Sequence, residues 1–390
     1  MGILCIADVL ARADGCLGAP EGLHWAHTGG AMMRALLVNT YPTRVHWGVE
    51  VVVESLMSGL KRRGHKAELL CLSDAELAVL QTFRFPEKFL VNVLLLQKLL
   101  RKAHQFDVLH FQAYNSYLAK FVRSPPRIVT LHGSSFGLHE RVAHTMKPHR
   151  LAYSHHVIER MEREGARACD AVVAVSNAVK AEAMRGYGIS PSKITVVHNA
   201  PVLSPNREPK NQLRKQLHLP EGYPLLITVT RGDYTKGTDM LVKMCEKLNA
   251  KHAAKLLVVG NIPRHLRRDF MIFARPEHSE MWKYYQASDA YLNTSRYEGF
   301  GLAMLEAMGY GVPAVSFNVG ISPEAIENGK NGFLVNRYDT LDYYEKVAKL
   351  IGDSSLRKKM GAKAAAKVKS DFSAEKMVNG YLKVYKKVIG

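Results

Sequence analysis

The chain has 390 residues, more than one ordinary hydrophobic core organises, so two domains are expected. Apolar residues at 47% and charged residues at 23% exclude a disordered or fibrous chain and fit a soluble globular one. The net charge of +19 attracts polyanions, whether nucleic acid, anionic lipid or phosphorylated small molecules, without choosing among them.

Residues 1–32 carry Arg12 against Asp8, Asp14 and Glu21, so the positive excess lies entirely downstream. The stretch lacks the basic flank and apolar core of a signal peptide, and Ile6 occupies the place where myristoylation wants Ser or Thr. A poorly ordered extension over 1–32 is expected, with the folded protein starting near Met33.

From there, short β-branched runs alternate with amphipathic stretches, the sign of parallel sheets covered on both faces. Candidate strands in the first half are 35–39, 67–72, 108–111, 128–131, 171–175 and 194–197. The second half repeats the plan at 225–230, 255–259, 270–273, 290–293, 314–317 and 333–335. Between them, 201–224 holds Pro201, Pro205, Pro209 and Pro220 and reads as a linker with one short helix. Met377, Tyr381, Val384, Tyr385 and Val388 share one face of a closing helix over 373–389. The expected fold class is α/β, with two Rossmann-like doubly wound domains (33–204 and 205–372) facing a cleft and 373–390 closing the chain.

No apolar run reaches the ~20 residues of a membrane span. The longest, 89–100, is broken by Asn92, Gln97 and Lys98. Cys5, Cys16, Cys71, Cys169 and Cys245 form no Cys-x-x-Cys pair, which suits reduced thiols in a cytosolic protein. No His-Glu-x-x-His occurs, and no metal site or cofactor is expected.

The chemistry concentrates in Glu298-Gly-Phe-Gly-Leu-Ala-Met-Leu-Glu306. Gly299 and Gly301 let the backbone turn sharply between a strand and a helix, and the free N–H groups of that helix start suit a phosphate or sugar oxygen. Glu298 belongs to the loop, whereas Glu306 lies in an apolar helix, where a carboxylate needs a partner. Ribose and sugar hydroxyls would serve as partners. Taken alone, the pair reads equally as Glu306 bound to a neighbouring Arg and Glu298 solvated.

Downstream come Pro313-Ala-Val-Ser-Phe, Gly320-Ile-Ser-Pro-Glu324 and Glu327-Asn-Gly-Lys-Asn-Gly-Phe-Leu-Val335. The run 295–335 closely resembles family 4 of the retaining glycosyltransferases, whose hallmark is Glu-x7-Glu in a GT-B fold. Thr230-Arg231-Gly-Asp-Tyr-Thr-Lys236-Gly237 is similar to that family's Gly-Arg…Lys-Gly segment, with Thr230 replacing a Gly. The resemblance implies that Arg231 and Lys236 bind the donor diphosphate, for which a rigid fork and a point charge are apt. It likewise places Gly48, Glu298, Gly299, Phe300, Gly301, Leu302 and Glu306 around the donor and His132 of Thr130-Leu-His132-Gly133 beside the donor sugar. Trp47 replaces a glycine in the loop before Gly48, Ala200 replaces another after Asn199, and Ser176 and Asn199 are weaker matches.

The same resemblance implies a retaining, metal-independent hexosyltransferase using a nucleotide-diphosphate sugar, such as a UDP- or GDP-sugar, whose base and sugar the sequence leaves open, with a lipid-linked or saccharide acceptor. No Asp-x-Asp occurs, so cationic side chains and helix N-termini must balance the leaving diphosphate. Glu298 is expected to position the sugar, and attack to occur on the face from which the diphosphate departs. The apolar stripe of 89–104 with Lys98, Arg101 and Lys102, and the cluster Arg141, Lys147, His149 and Arg150, suggest docking of a cytoplasmic protein on an anionic membrane. A core helix with a solvated basic rim explains the same residues. Nucleic-acid binding would explain the charge, but no recognition module is present. A nicotinamide dehydrogenase would need Gly-x-Gly-x-x-Gly where Asn39-Thr-Tyr-Pro stands. A sugar-nucleotide-dependent synthase or phosphorylase, or a non-catalytic binder, also stays open.

Overall fold

The computed structural model describes residues 32–43, 48–82 and 87–390. The expected extension, apart from Met32, and Trp47 lie outside them. The first sheet contains β1 (Arg34–Val38), β2 (Lys66–Leu70), β3 (Val108–Gln112), β4 (Arg127–Leu131), β5 (Ala171–Ala174) and β6 (Ile194–Val196). All its neighbours pair in parallel, in the order β2-β1-β3-β4-β5-β6. The second contains β7 (Leu225–Thr230), β8 (Lys255–Gly260), β9 (Met271–Ala274), β10 (Ala290–Asn293), β11 (Ala314–Phe317) and β12 (Gly332–Val335). It is also parallel, in the order β12-β11-β10-β7-β8-β9.

The strands form where whole runs are apolar, as sheets covered on both faces require. Leu36, Leu37, Val38, Leu225, Leu226 and Ile227 are all buried. In each sheet the strand order reverses beside the first strand, at β1/β3 and β7/β10, and ligands of such sheets bind beyond the strand ends at that switch. The proline-rich connection contains the helix Lys210–Gln216.

The last helix, Ala374–Ile389, returns to the first half. Its Met377, Val378, Tyr381, Val384 and Tyr385 are buried against a core that includes Leu37, Val52, Val53 and Leu56. It crosses the helix Gly48–Arg62 at Gly59, where a Cβ would come within 2.3 Å of Val378 Cγ2. Tyr385 Oη lies 2.8 Å from His110 Nδ1, and Thr130 Oγ1 joins His110 Nε2 (2.7 Å) to Tyr381 Oη (3.1 Å).

The helix Glu87–Lys102 corrects one expectation. Its Val91, Leu95, Leu96 and Leu99 are buried in the first-half core, while Lys98 pairs with Glu76 at 2.5 Å. Burying each such side chain gains about 2 kcal/mol, so the stripe serves the core and is not a free face for a bilayer. No described helix is long and apolar enough to cross a membrane.

One polar hub anchors the second half. Asp289, just before β10, accepts from Arg214 Nη2 (2.8 Å), Lys210 Nζ (2.7 Å) and the Leu225 N–H (2.8 Å). Burial raises its carboxyl pKa, but Lys210, the Leu225 N–H and Arg214 outweigh that and leave it below the usual 3.8. A depressed carboxylate stabilises the fold above its unfolded pKa, and that contribution is lost as pH falls through the folded value. Asp289→Ala should cost about 3 kcal/mol in urea unfolding at neutral pH, because it strands buried cations. The difference from wild type should narrow below about pH 4.

Candidate active site

The segment after β10, residues 294–301, lies between the two halves and is held in place first by Arg296. This guanidinium is buried and donates to both oxygens of Asp239 at 2.7 Å and to the Tyr234 carbonyl at 2.9 Å. It also stacks 3.6 Å from the centre of the Tyr234 ring. Thr294 Oγ1 donates to the carbonyls of Lys236 (3.1 Å) and Gly237 (3.2 Å). Gly237 has φ +62°, and a Cβ there would come within 1.9 Å of the Thr294 carbonyl oxygen, so the packing requires glycine.

These contacts bring two of the expected site residues together. Lys236 Nζ lies 2.5 Å from Glu298 Oε1, and Ser295 Oγ donates to the same oxygen at 2.9 Å. Glu298 is therefore a paired carboxylate rather than a solvated one. Arg231 is not part of this cluster: its side chain is 80% exposed, with Nε 3.3 Å from Asp233 Oδ2.

Gly301, at φ +114°, begins the helix Leu302–Gly309 without a side-chain capping hydrogen bond, so the N-cap residue itself leaves the first N–H groups unsatisfied. A Cβ on Gly48 would sit 3.8 Å from Leu302 Cδ1, so the starts of two helices, one from each half, converge there. Such N-termini carry partial positive charge. The Phe300 side chain is buried and tilted toward His198, 6.4 Å between ring centres. Glu306 is buried without an arginine partner among the described residues; Tyr285 Oη donates to its Oε2 at 2.8 Å, and His278 Nε2 lies 3.9 Å from Oε1. Burial raises its carboxyl pKa, which the Tyr285 bond and His278 only partly offset.

The first half contributes the loop after β4. His132 Nε2–H donates to Gln112 Oε1 at 2.8 Å, which leaves Nδ1 as the acceptor. Burial lowers the ring to about 4, so it is neutral at pH 7. Gln112 Nε2, at the end of β3, and Asn199 Oδ1, after β6, are buried without a partner among the described residues. Such atoms are costly unless a ligand or water reaches them.

The halves meet here through backbone. A Cβ on Gly299 would stand 1.9 Å from the His132 carbonyl oxygen and 2.7 Å from the Gly133 Cα. Ser176 caps the helix Asn177–Tyr187 and donates to the Gly299 carbonyl at 2.9 Å. The Tyr297 hydroxyl accepts from the Ser134 N–H at 2.6 Å and lies within donating distance of the Ser134 carbonyl (3.0 Å) and Glu182 Oε2 (3.1 Å). Glu324 accepts from the Asn177 N–H (2.9 Å) and Nδ2 (2.6 Å) and meets His198 Nε2 at 2.8 Å. Sequence reasoning gave no role to Tyr297, Arg296, Asp239, Gln112 or Tyr285. The first two stood in the segment it singled out, whereas nothing local marked the other three.

The family model described as Glycosyl transferases group 1 matches residues 209–367, and that described as Glycosyltransferase Family 4 matches residues 48–201. N-acetyl-alpha-D-glucosaminyl L-malate synthase of Bacillus anthracis is 30% identical over 187 residues, 46% of this chain and 49% of that protein. The match thus spans about half of that relative's length. An uncharacterized glycosyltransferase of Methanocaldococcus jannaschii is 21% identical across 91% of this chain and 98% of its own. Among solved structures, Anabaena HepE in complex with UDP and glucose superposes with a TM-score of 0.70 at 16% identity, covering 91% of this chain and all of that one. Its likeness is one of fold: two parallel six-stranded sheets in a GT-B arrangement.

Gly299→Ala should force the two halves apart at this backbone contact. A loss of about 1–3 kcal/mol is expected, the usual cost of overpacking, read as a lowered midpoint in calorimetry.

Proposed function

Because the chain belongs to the family 4 glycosyltransferases of GT-B fold, we propose that it moves a hexose from a nucleotide-diphosphate sugar to a lipid-linked or saccharide acceptor, with retention and without a metal. The observation that carries this reading is the juxtaposition at residues 298–301. One loop holds the Lys236–Glu298 pair, opens the uncapped helix at Gly301 and touches the His132–Gly133 backbone of the opposite half. A diphosphate needs fixed positive charge, and Lys236 with the two converging helix starts supplies it. Lys236 has three N–H donors, of which Glu298 takes one. Arg231, exposed at the mouth of the same segment, would swing onto the diphosphate when the donor enters. The UDP and glucose of the HepE complex support a uridine donor as the first to test.

In this reading Glu298 orients a sugar hydroxyl, and neutral His132 offers Nδ1 or its peptide to the same sugar. The sugar C1–O bond to phosphate breaks as the C1–O bond to the acceptor forms on the same face, and the acceptor proton passes to the departing phosphate oxygen. The nucleotide ribose is assigned to Glu306, whose remaining oxygen faces His278. The acceptor approaches from the first half, where His144, Lys147, His149 and Arg150 are exposed. That basic rim, rather than the buried stripe of the helix Glu87–Lys102, would be the part that meets an anionic surface of a cytoplasmic membrane.

A thermal-shift screen of UDP-, GDP-, ADP- and CDP-sugars identifies the donor, and NMR of the product reports its anomeric configuration. Lys236→Ala should lower turnover by roughly two to three orders of magnitude with the fold intact. Near-wild-type turnover in that variant, or a product of inverted configuration, sinks the proposal. Rates should be unchanged when magnesium and manganese are omitted. With the ring neutral down to about pH 4, His132 should add no inflection to the rate profile between pH 6 and 8.

A further inference from the structure

We propose that His139, His155 and Glu159 form a binding site for a zinc-class divalent cation in the first half, apart from the donor cleft. The helix Ser135–Val142 presents His139, and the π-helical turn Ser154–Glu159 presents the other two. Both imidazoles aim Nδ1 at one carboxylate oxygen: Glu159 Oε2 lies 2.7 Å from His139 Nδ1 and 3.1 Å from His155 Nδ1. All three donor atoms lie within 4.8 Å of one another, and among the described residues this is the one group of three with such spacing. Zinc–ligand bonds of about 2 Å in a tetrahedron set ligand atoms roughly 3.3 Å apart. The exposed His155 can supply the small adjustment needed.

Three further features fit the ion. The Glu159 side chain is only 6% exposed, and a buried carboxylate calls for positive charge beside it. The outer nitrogen of His139 is already fixed, 2.9 Å from Ser154 Oγ, as metal-bound imidazoles usually are. Binding through Nδ1 moves the His139 proton to Nε2, and the serine hydroxyl then accepts where it had donated. Two nitrogens and one carboxylate favour zinc over magnesium or calcium, which prefer oxygen. A depression lined by His155, His156, Glu159, Arg160, Arg163 and Glu164 adjoins two of the three ligand residues. Arg160 is committed to Glu164 at 2.6 Å, which limits its repulsion of a dication.

An ion here clamps the helix that follows the His132–Ser134 loop to the start of the long helical segment ending at Ala168. The site does not depend on the glycosyl-transfer reading, and its test needs no substrate. Chelator-stripped full chain without an affinity tag is titrated with cobalt(II) alone, then with zinc(II) alone. One equivalent should bind, with the visible absorption of tetrahedral cobalt, displaced by zinc, and zinc should raise the melting temperature. His155→Ala, at an exposed position, should keep the fold, lose that absorption and weaken binding by roughly ten-fold or more. His156→Ala should bind as wild type. No stoichiometric uptake by the wild type, or unchanged uptake in His155→Ala, overturns the proposal.

Discussion

The His132 carbonyl of the first half and the Gly299 α-carbon of the second approach so closely that no side chain fits between them. Everything else at the cleft is arranged around that approach. Tyr297 reaches past it to the Ser134 backbone, Ser176 donates to the Gly299 carbonyl, and Glu324 caps a helix of the opposite half. A glycine turn alone would be loose, because glycine has the largest backbone entropy to lose on ordering. The loop is rigid because Arg296 is fastened at one end by Asp239 and Tyr234, and Gly320 packs beneath the other, where a Cβ would meet the Phe300 carbonyl at 2.4 Å.

The same arrangement explains why Lys236 and Glu298 meet although 62 residues separate them. Lys236 ends a single turn between Asp233 and Gly237, and that turn is bonded through its carbonyls to Thr294 and Arg296. These bonds hold the two backbone segments close enough for the Lys236 and Glu298 side chains to meet. On the other side, β3 and β4 lie in register so that Gln112 pairs with Thr130; β3 carries His110 and Gln112, and their contact partners are, in turn, Thr130 in β4 and His132 just beyond its end. The tyrosines of the closing helix hold the first contact and thereby steady the strand ends that present the second.

All twelve strands were legible in the sequence as short, largely apolar runs between helical stretches, although β2 and β9 are partly exposed, and only their ends differ by a residue or two. The glycine turn at 299–301 was legible because two glycines between a strand and a helix mark a sharp turn, whereas Glu298 and Glu306 drew their meaning from the family resemblance alone. Partnerships across long separations were not. Tyr297 and Glu182 are 115 residues apart, and Glu324 and Asn177 are 147 apart. No local pattern tells a solvated carboxylate from one that caps a distant helix. The stripe at 89–104 failed differently: periodicity reveals an apolar face but not what covers it, and here Leu95 and Leu99 face the core. Phe300 lies in the expected motif, yet its ring packs between the halves toward His198.

The return of the helix Ala374–Ile389 to the first half has a consequence for the order in which the molecule is made. The apolar face formed by Leu37, Val52, Val53 and Leu56 is translated early, but its cover is the helix Ala374–Ile389, which follows the whole second half. While the second half is being synthesised, that face stays bare and the hydroxyls that fix His110 are not yet present. The first half therefore cannot complete its core before the second half has been translated, and a nascent chain stalled before residue 374 presents a greasy surface to chaperones. Domain-by-domain folding, usual for larger proteins, is modified here by a clasp that closes only after residues 374–389 have been made.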